Sequence, residues 1–319
     1  MIEIVENNCQ PHIVKQEKLK TPKFPMATII NLIGNTPLVE LNRINPNPKV
    51  KLYGKMEGHN PGGSVKDRAA LGMISAALKR GDIKPGTRLI EATSGNTGIA
   101  LSMIASMYGL EIELVMPENA TKERVQTMEA FGAKVILTPK DQSMEGSIDY
   151  VNEKAAEGGY FVLNQFGNPD NWNAHYHTTG PEIWQDTEGK VTHFVSAMGT
   201  TGTIMGVSRY LKEQNPQVQI LGCQPTDESN IPGIRKWPEA YLPKIFERDR
   251  VDQVLEVSQT EATAMTRRLA REEAVFCGMS AGGAAAAAVR VAQQIEQGVI
   301  VCIICDRGDR YLSSDLFAG

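Results

Sequence analysis

The sequence has few cysteines and no cysteine-dense segment. Five of its 319 residues are cysteine, an odd and sparse set that argues against a disulfide framework and favours a reducing compartment. Cys302 and Cys305 form a C-x-x-C pair inside the apolar segment 299–305, which is typical of a buried strand. An offset of three along a strand places the two side chains on opposite faces, with Cα atoms about 10 Å apart, too far for a disulfide. We therefore expect both to be core residues.

The sequence also lacks long apolar runs and an excess of one charge. No apolar run is long enough to cross a bilayer, and the N-terminus, which carries Glu3 and Glu6, has no hydrophobic signal core. The 33 basic and 37 acidic residues give a net charge of -4, which provides no general case for nucleic acid or an anionic membrane as a partner. These absences predict a cytoplasmic protein that binds neither nucleic acid nor a membrane.

The common ligand-binding motifs are missing as well. There is no G-x-x-x-x-G-K-[ST] loop, and the segment Gly199-x-x-Gly202 does not follow the G-x-G-x-x-G dinucleotide pattern. Cys9 and His12 are potential ligands of a metal or haem, but they lie in residues 1–27, a polar stretch that we interpret as an N-terminal extension. Because two ligands in such a segment are weak evidence, no metal site is predicted.

What the sequence does have is a regular alternation of strands and helices after the extension. The predicted strands, with helices between most of them, are residues 51–56, 88–92, 111–116, 134–137, 160–163, 192–196, 219–223, 253–257 and 299–305. Such alternation implies an α/β fold with parallel-rich sheets covered by helices. The irregular stretch 165–190 separates two runs of elements and suggests two lobes with a ligand-binding cleft between them. We expect a smaller lobe at about 62–165 and a larger lobe at about 28–61 plus 166–319.

Residues 61–68, Pro-Gly-Gly-Ser-Val-Lys-Asp-Arg, form the most informative segment. A Gly-Gly turn leads into Ser64, which is suited to cap a helix, and Asp67 follows in a near match to a capping box. Lys66 then lies in the first turn of the helix, where the helix dipole disfavours a positive charge. An amine in such a place can act as a nucleophile and form a Schiff base with a carbonyl compound. The alternative is a solvated lysine at the end of a loop.

Three other loops, rich in glycine and hydroxyl residues, join a strand to a helix. Residues 93–98 can hold an anion such as a carboxylate, and residues 199–203 can hold a phosphate through N–H groups and hydroxyls. Residues 278–283 open an alanine-rich helix. A phosphate held without charged side chains, together with an activated lysine, suits a phosphorylated aldehyde cofactor. Pyridoxal 5′-phosphate is the common one.

Together with residues 35–38, Asn-Thr-Pro-Leu, these segments resemble the cysteine synthase and cystathionine β-synthase family of pyridoxal-phosphate enzymes. The resemblance covers nearly everything after the extension, and it implies the two-lobed, tryptophan-synthase-β-like architecture, fold type II of these enzymes. Residues 199–203, 231–237 and 305–313 are similar to one isozyme class within the family.

The resemblance implies a role for each candidate site residue. Lys66 would form the Schiff base and transfer the catalytic proton. Asn96 would hydrogen-bond the 3′ oxygen of the cofactor. Ser280 would meet the pyridine nitrogen, although it could instead cap its helix. The phosphate would be bound by Gly199, Thr200, Thr201, Gly202 and Thr203, and the substrate carboxylate by Thr93, Ser94, Thr97 and Gln165.

Arg235 and Lys236 are a further pair of candidates beside Trp237. They could form an anion site at the mouth of the cleft, where thiosulfate, a dianion, would gain from a guanidinium and an ammonium group. The alternative is a solvated loop with the indole packed beneath it.

The resemblance implies a homodimeric β-replacement enzyme that makes L-cysteine from O-acetyl-L-serine and sulfide, and S-sulfocysteine from thiosulfate. A serine or threonine dehydratase and a cystathionine-forming β-synthase are alternatives on the same fold. A non-catalytic scaffold is a third alternative. Lys66, Asn96 and Ser280 favour the enzyme, because a scaffold has no need to retain them.

Overall fold

The computed structural model describes residues 28–93 and 95–318, which form two sheets flanked by helices. The strands are β1 Leu38–Glu40, β2 Val50–Met56, β3 Arg88–Ala92, β4 Glu111–Pro117, β5 Lys134–Thr138, β6 His193–Ala197, β7 Gln219–Pro225, β8 Gln253–Val257 and β9 Gly298–Ile304. The α-helices are α1 Lys66–Arg80, α2 Asn96–Met107, α3 Lys122–Ala130, α4 Ser143–Glu157, α5 Pro169–His177, α6 Thr179–Asp186, α7 Gly202–Gln214, α8 Gln259–Glu272 and α9 Met279–Gln294. None of these helices is both long and apolar enough to cross a bilayer.

The larger sheet pairs the early strand β2 with the last strand, β9. Its strand order is β1-β2-β9-β6-β7-β8, and every neighbouring pair is parallel except the antiparallel pair β1 and β2. The last strand, β9, therefore lies in the middle, between β2 and β6. Because parallel strands point the same way, the segments that follow β2, β6 and β9 leave from one edge of the sheet, where ligands bind in open α/β folds.

The smaller sheet contains β3, β4 and β5, all parallel. Its core joins α1 and α2 to these strands through fully buried side chains such as Met73, Ile104 and Leu114. The larger sheet has its own core on each face, with Val195 packed in the cluster that includes α8 and α9, and Phe194 in the cluster that includes α7. Two sheets with separate cores support the division into two lobes.

Most of the strands and helices expected from the sequence are confirmed, but the predictions for residues 160–163 and 165–190 are wrong. Residues 160–163 are not a strand, because they make only one bridge, between Leu89 and Phe161. The N–H groups that follow bond to the buried carboxylate of Glu91 instead of a neighbouring strand. The stretch 165–190 is not irregular, since it contains α5 and α6. Short β1 was also not expected.

The two cysteines at the end of the chain are core residues, as expected. Cys302 lies within β9 and Cys305 directly follows it. Both are buried, and neither forms a disulfide. Cys9 and His12 lie outside the described residues.

Lys66 lies in the first turn of helix α1 as expected, but Ser64 and Asp67 do not form the predicted capping box. The N-cap is Val65, and its side chain makes no cap hydrogen bond. The Ser64 hydroxyl accepts the Lys66 N–H at 3.2 Å, and the Asp67 carboxylate turns back to accept the Gly62 N–H at 2.5 Å. The Asp67 carboxylate thus binds the N–H of Gly62 in the Gly-Gly turn, and not the N–H of a cap residue.

A buried ion network fixes the first turn of α1 to both neighbouring segments. Arg68 donates to Glu57 at 2.8 Å and to Glu182 at 2.6 Å, and the side chains of Arg68 and Glu57 are almost fully buried. Fully buried Lys55 bonds to Glu182 at 3.0 Å and to Asp186 at 2.9 Å. Because a buried charge is costly unless it is paired and hydrogen-bonded, these partners depend on one another.

We expect Arg68→Ala to lower the free energy of unfolding by about 3–5 kcal/mol, since it leaves Glu57 buried without its partner. Arg80→Ala, in the last turn of the same helix, is the matched control. Arg80 pairs with Asp82 at 2.7 Å but is 49% exposed, so its loss should cost at most about 1 kcal/mol. Urea unfolding at neutral pH measures both. Equal losses in the two variants would contradict the role of the buried network.

Candidate active site

The segment after β9 attaches the Lys66 loop to the edge of the larger sheet. The Val65 N–H donates to the Cys305 carbonyl at 2.8 Å, and Ser64 makes an antiparallel bridge to Asp306. The Arg307 N–H donates to the Gly63 carbonyl at 3.3 Å. The loop that carries Lys66 is therefore held by the last strand of the fold and not only by its own turn.

Lys66 is half-buried, and its amine makes no hydrogen bond or ion pair with any residue in the described part of the chain. Burial lowers the pKa of the Lys66 ammonium, and the negative charge of Asp306 opposes this shift. The amine is thus held toward its neutral, nucleophilic form. This environment supports the nucleophile predicted from the sequence, with burial as the main cause.

The phosphate-loop candidates, residues 199–203, join β6 to α7. Thr201 is the N-cap residue of α7 in a left-handed conformation with φ 69°, and its buried Oγ1 atom has no hydrogen-bond partner among the described residues. A Cβ atom on Gly202 would lie 1.9 Å from Asn171 Oδ1, and one on Gly199 would lie 2.9 Å from the Gly233 carbonyl oxygen. The loop is thus packed too closely for larger residues and presents N–H groups and a free hydroxyl at a helix N-terminus.

Two buried side chains on α5 support this loop and were not predicted. Asn171 donates to Thr200 Oγ1 at 3.1 Å. His175 Nε2 lies 3.3 Å from Thr203 Oγ1. Burial, followed by the charges of nearby cations, places the pKa of His175 well below its ordinary value, so the ring is neutral at physiological pH. No sequence signal marked these residues, since their helix was expected to be irregular.

Asn96 is the first residue of α2, and its amide is hydrogen-bonded on both sides. Its Nδ2 donates to Asp306 Oδ2 at 2.7 Å, and its Oδ1 accepts from Arg310 Nη1 at 2.6 Å. The bonds connect the smaller sheet's helix to the segment after β9. Ser94, the neighbouring candidate, lies outside the described residues.

The other carboxylate-binding candidates lie together at the end of β3. Thr93 Oγ1 accepts the N–H groups of Gly95 at 3.1 Å and Gly98 at 3.0 Å, so it caps the start of α2. Thr97 donates to Gln165 Oε1 at 2.8 Å. Thr93, Thr97 and Gln165 are all buried. The structure therefore brings residues more than sixty positions apart into one cluster.

Ser280 is buried at the second residue of α9, whose N-cap is Gly278. The alternative interpretation of Ser280 as a helix cap is therefore wrong. A Cβ atom on Gly233 would lie 3.3 Å from Ser280 Oγ. Burial raises the pKa of the Cys305 thiol to about 12, while the charge of Lys66 and a hydrogen bond with Ser280 act in the opposite direction. Cys305 thus lies close to both Lys66 and Ser280.

Arg235 and Lys236 both have carboxylate partners. Arg235 donates to Glu145 on α4 at 2.6 Å and lies over the ring of Trp237, 4.7 Å from its centroid. Lys236 bonds to Asp227 at 2.5 Å and Glu256 at 3.0 Å. An anion could therefore bind Arg235 only in place of, or beside, the Glu145 carboxylate.

The same segment also touches the phosphate loop. Trp237 Nε1 donates to the Gly199 carbonyl at 2.8 Å, and the Arg235 N–H donates to the Met198 carbonyl at 2.9 Å. Residues 231–237 thus connect the phosphate loop to α4 of the smaller sheet.

Comparison with known proteins identifies the family to which the chain belongs. The family model described as pyridoxal-phosphate dependent enzyme matches residues 29–306. Cysteine synthase B of Pseudomonas aeruginosa is 58% identical over 297 residues, which cover 93% of this chain and 99% of that protein. The chain belongs to the cysteine synthase family of pyridoxal-phosphate-dependent enzymes. The identity also confirms the isozyme class that residues 199–203, 231–237 and 305–313 indicated, which is the B class.

Solved structures of the cysteine synthase family have the same fold. Cysteine synthase (OASS) from Entamoeba histolytica has a TM-score of 0.86 at 37% identity, with 99% of this chain and 94% of that chain covered. An O-acetylserine-dependent cystathionine β-synthase from Helicobacter pylori has a TM-score of 0.85 at 37% identity, with 92% and 99% covered. The two-lobed α/β fold expected from the sequence is confirmed.

The described residues fit pyridoxal 5′-phosphate, the cofactor of this family. The amine of Lys66 is unpaired, as required of a group that bonds to the cofactor aldehyde. The buried, unpartnered hydroxyl of Thr201 and the glycines beside it can receive a phosphate at the start of α7.

Glu91 positions the cluster that contains Gln165, and its own ionisation makes the stability of the protein depend on pH. It is buried, accepts the N–H groups of Asn164 at 2.9 Å and Gln165 at 2.8 Å, and burial raises its pKa from 4.5 to about 7. Because this pKa is higher in the folded protein, folding binds a proton. The stability that this carboxyl contributes is therefore present below about pH 4.5 and is lost as the pH rises through about 7.

We expect the wild type to lose about 3 kcal/mol of stability relative to Glu91→Gln between pH 5 and pH 8, because the glutamine does not ionise. Urea unfolding of both proteins across this range gives the difference. Glu111→Gln, an exposed change at the start of β4, is the control and should show no such trend. Parallel stability curves for wild type and Glu91→Gln would contradict the assignment.

Proposed function

We propose that the protein makes L-cysteine by β-replacement, from O-acetyl-L-serine and sulfide. The observation that carries the proposal is the half-buried Lys66 amine, which has no carboxylate partner among the described residues and lies at the edge of the sheet where residues 199–203, Asn96 and Ser280 converge. The names of the similar proteins from Pseudomonas aeruginosa and Entamoeba histolytica support the reaction.

Bound pyridoxal 5′-phosphate would supply an electron sink for the pair of electrons left when the substrate loses its Cα proton. Lys66 would hold the cofactor through its aldehyde carbon and, once displaced by the substrate amine, would be a free base beside Cα. Its depressed pKa keeps a fraction of the amine neutral for that step. The same group would later return to release the product.

The neighbouring residues would orient the reacting molecule. Thr97 and Gln165, now bonded to each other at 2.8 Å, would turn their polar groups to the substrate carboxylate, with N–H groups at the start of α2. Ser280 would meet the ring nitrogen with a hydroxyl and not a carboxylate. A hydroxyl leaves the ring a weaker electron sink, which favours loss of the Cβ substituent over transamination.

A second candidate is cystathionine formation, favoured by the similarity to the Helicobacter pylori enzyme. The two differ only in the sulfur nucleophile. Parallel assays with sulfide and homocysteine separate them, and a higher kcat/KM for homocysteine would replace our proposal.

We also propose that the enzyme is a cytoplasmic homodimer whose catalytic unit has lobes at about 62–165 and at about 28–61 plus 166–319. The separate cores of the two sheets support the lobes, and the family resemblance supports the dimer. Light scattering of the purified protein measures the mass directly, and a monomer would contradict the dimer.

We expect Lys66→Ala to fold but to lose turnover by orders of magnitude, because one amine serves as cofactor anchor and as base. Borohydride treatment of the wild type should leave the cofactor's mass on the peptide that contains Lys66. The same peptide of the variant should show no added mass. Lys79→Ala, in the last turn of the same helix, should behave as wild type. Substantial synthase activity in Lys66→Ala would overturn the proposal.

We propose that Arg235, rather than Lys236, serves thiosulfate, because Arg235 is bonded to one carboxylate, Glu145 on α4, whereas Lys236 is bonded to two. Arg235→Ala should lower kcat/KM for thiosulfate by about 10- to 100-fold, the loss of a charge-assisted hydrogen bond. Sulfide, which is small and needs no such site, should be little affected. Lys236→Ala is the matched control. Equal losses for both donors would refute the selectivity.

A further inference from the structure

The orientation of the Asn96 amide is determined by two buried charged groups. The amide Nδ2 donates to Asp306 Oδ2 at 2.7 Å, and the amide Oδ1 accepts from Arg310 Nη1 at 2.6 Å. A carboxylate only accepts hydrogen bonds and a guanidinium only donates them. The reversed amide would place two oxygens together on one side and two donors on the other. One orientation is therefore allowed, and in it the second Nδ2–H of Asn96 has no partner among the described residues.

The two charged groups are themselves fixed to the Lys66 loop. Asp306 is 1% exposed and Arg310 is 6% exposed. Tyr311 Oη donates to Asp306 Oδ2 at 2.6 Å, and Arg310 Nη2 donates to the Gly62 carbonyl at 2.8 Å. The segment after β9 therefore touches the loop that presents Lys66 and the amide that begins α2, and it sets their relative position.

We propose that Asp306 and Arg310 are positioning residues that make Asn96 present an N–H, and not its oxygen, to the 3′ oxygen of the cofactor. This inference rests on the proposed function, in which the cofactor is bonded to Lys66 with Asn96 beside it. An oxygen turned to the 3′ oxygen would repel it. Asp306 and Arg310 thus determine the hydrogen bond between Asn96 and the 3′ oxygen, and this bond would influence the visible absorption of the bound cofactor.

The test compares the visible absorption spectrum of the holoenzyme in Asp306→Asn, Asn96→Ala and the double variant. Asparagine at 306 has the same shape but can donate as well as accept, so either orientation of the Asn96 amide becomes possible. Asp309→Asn is the matched control, since Asp309 lies on the same short segment and its one ion-pair partner in the described part of the chain is exposed Arg307, at 3.0 Å.

We expect Asp306→Asn and Asn96→Ala each to shift the spectrum and to weaken recovery of pyridoxal 5′-phosphate by the apoprotein about tenfold. The double variant should shift no further than Asn96→Ala alone, because Asp306 acts through Asn96. Asp309→Asn should match the wild type. Additive effects in the double variant, or an unchanged spectrum in Asp306→Asn, would overturn the inference.

Tyr311→Phe is a milder perturbation of the Asp306 carboxylate, for use if Asp306→Asn folds poorly. It removes one donor to Asp306 and keeps the ring. It should produce a smaller spectral shift that disappears when Asn96 is alanine, and a shift that persists there would count against the inference. If the wild type itself carries no cofactor on Lys66 after borohydride treatment, the proposed function fails, whereas additive effects in a cofactor-bearing wild type refute the positioning role alone.

Discussion

A partly buried amine without a carboxylate bonded to it is the constraint around which this fold is arranged. Lys66 opens α1, where a cation is disfavoured by burial and by the helix dipole. A cation in such a place would ordinarily be paired or moved to the surface. The neighbouring cations Lys55 and Arg68 are fully paired with carboxylates. The contrast within one short region indicates that the free amine is kept for chemistry.

The buried ion pairs explain how that amine can be held in place. Arg68, two residues beyond Lys66, joins Glu57 after β2 to Glu182 on α6. Such a network adds little net stability compared with apolar packing, but it defines one position for the helix start. The start of α1 is therefore fixed by charged residues other than Lys66 itself.

Two segments connect the lobes across the site. The segment after β9 reaches Asn96 through Asp306 and Arg310, and residues 231–237 reach Glu145 through Arg235. Both segments also contact loops at the edge of the larger sheet, namely the Lys66 loop and residues 199–203. A movement of the smaller lobe would therefore also displace these two loops. The site is therefore shared between the lobes and not carried by either.

The sequence predicted what local patterns encode and missed what only the fold brings together. Lys66 and residues 199–203 could be found because glycines, hydroxyls and a helix start lie side by side. Asn171, His175 and Asp306 act on residues far away in the chain, so no spacing indicated their roles. The same cause explains the wrong strand at 160–163, where buried Glu91 takes the N–H groups that would continue a strand past Phe161.

The state of the Lys66 amine tests the account most directly. Trace labelling of the apoprotein with an amine-reactive acylating reagent, followed by peptide mass analysis across a pH series, gives the titration midpoint of each lysine. The account predicts a midpoint for Lys66 clearly below the ordinary pKa of a lysine side chain. A midpoint for Lys66 at or above that ordinary value would contradict it.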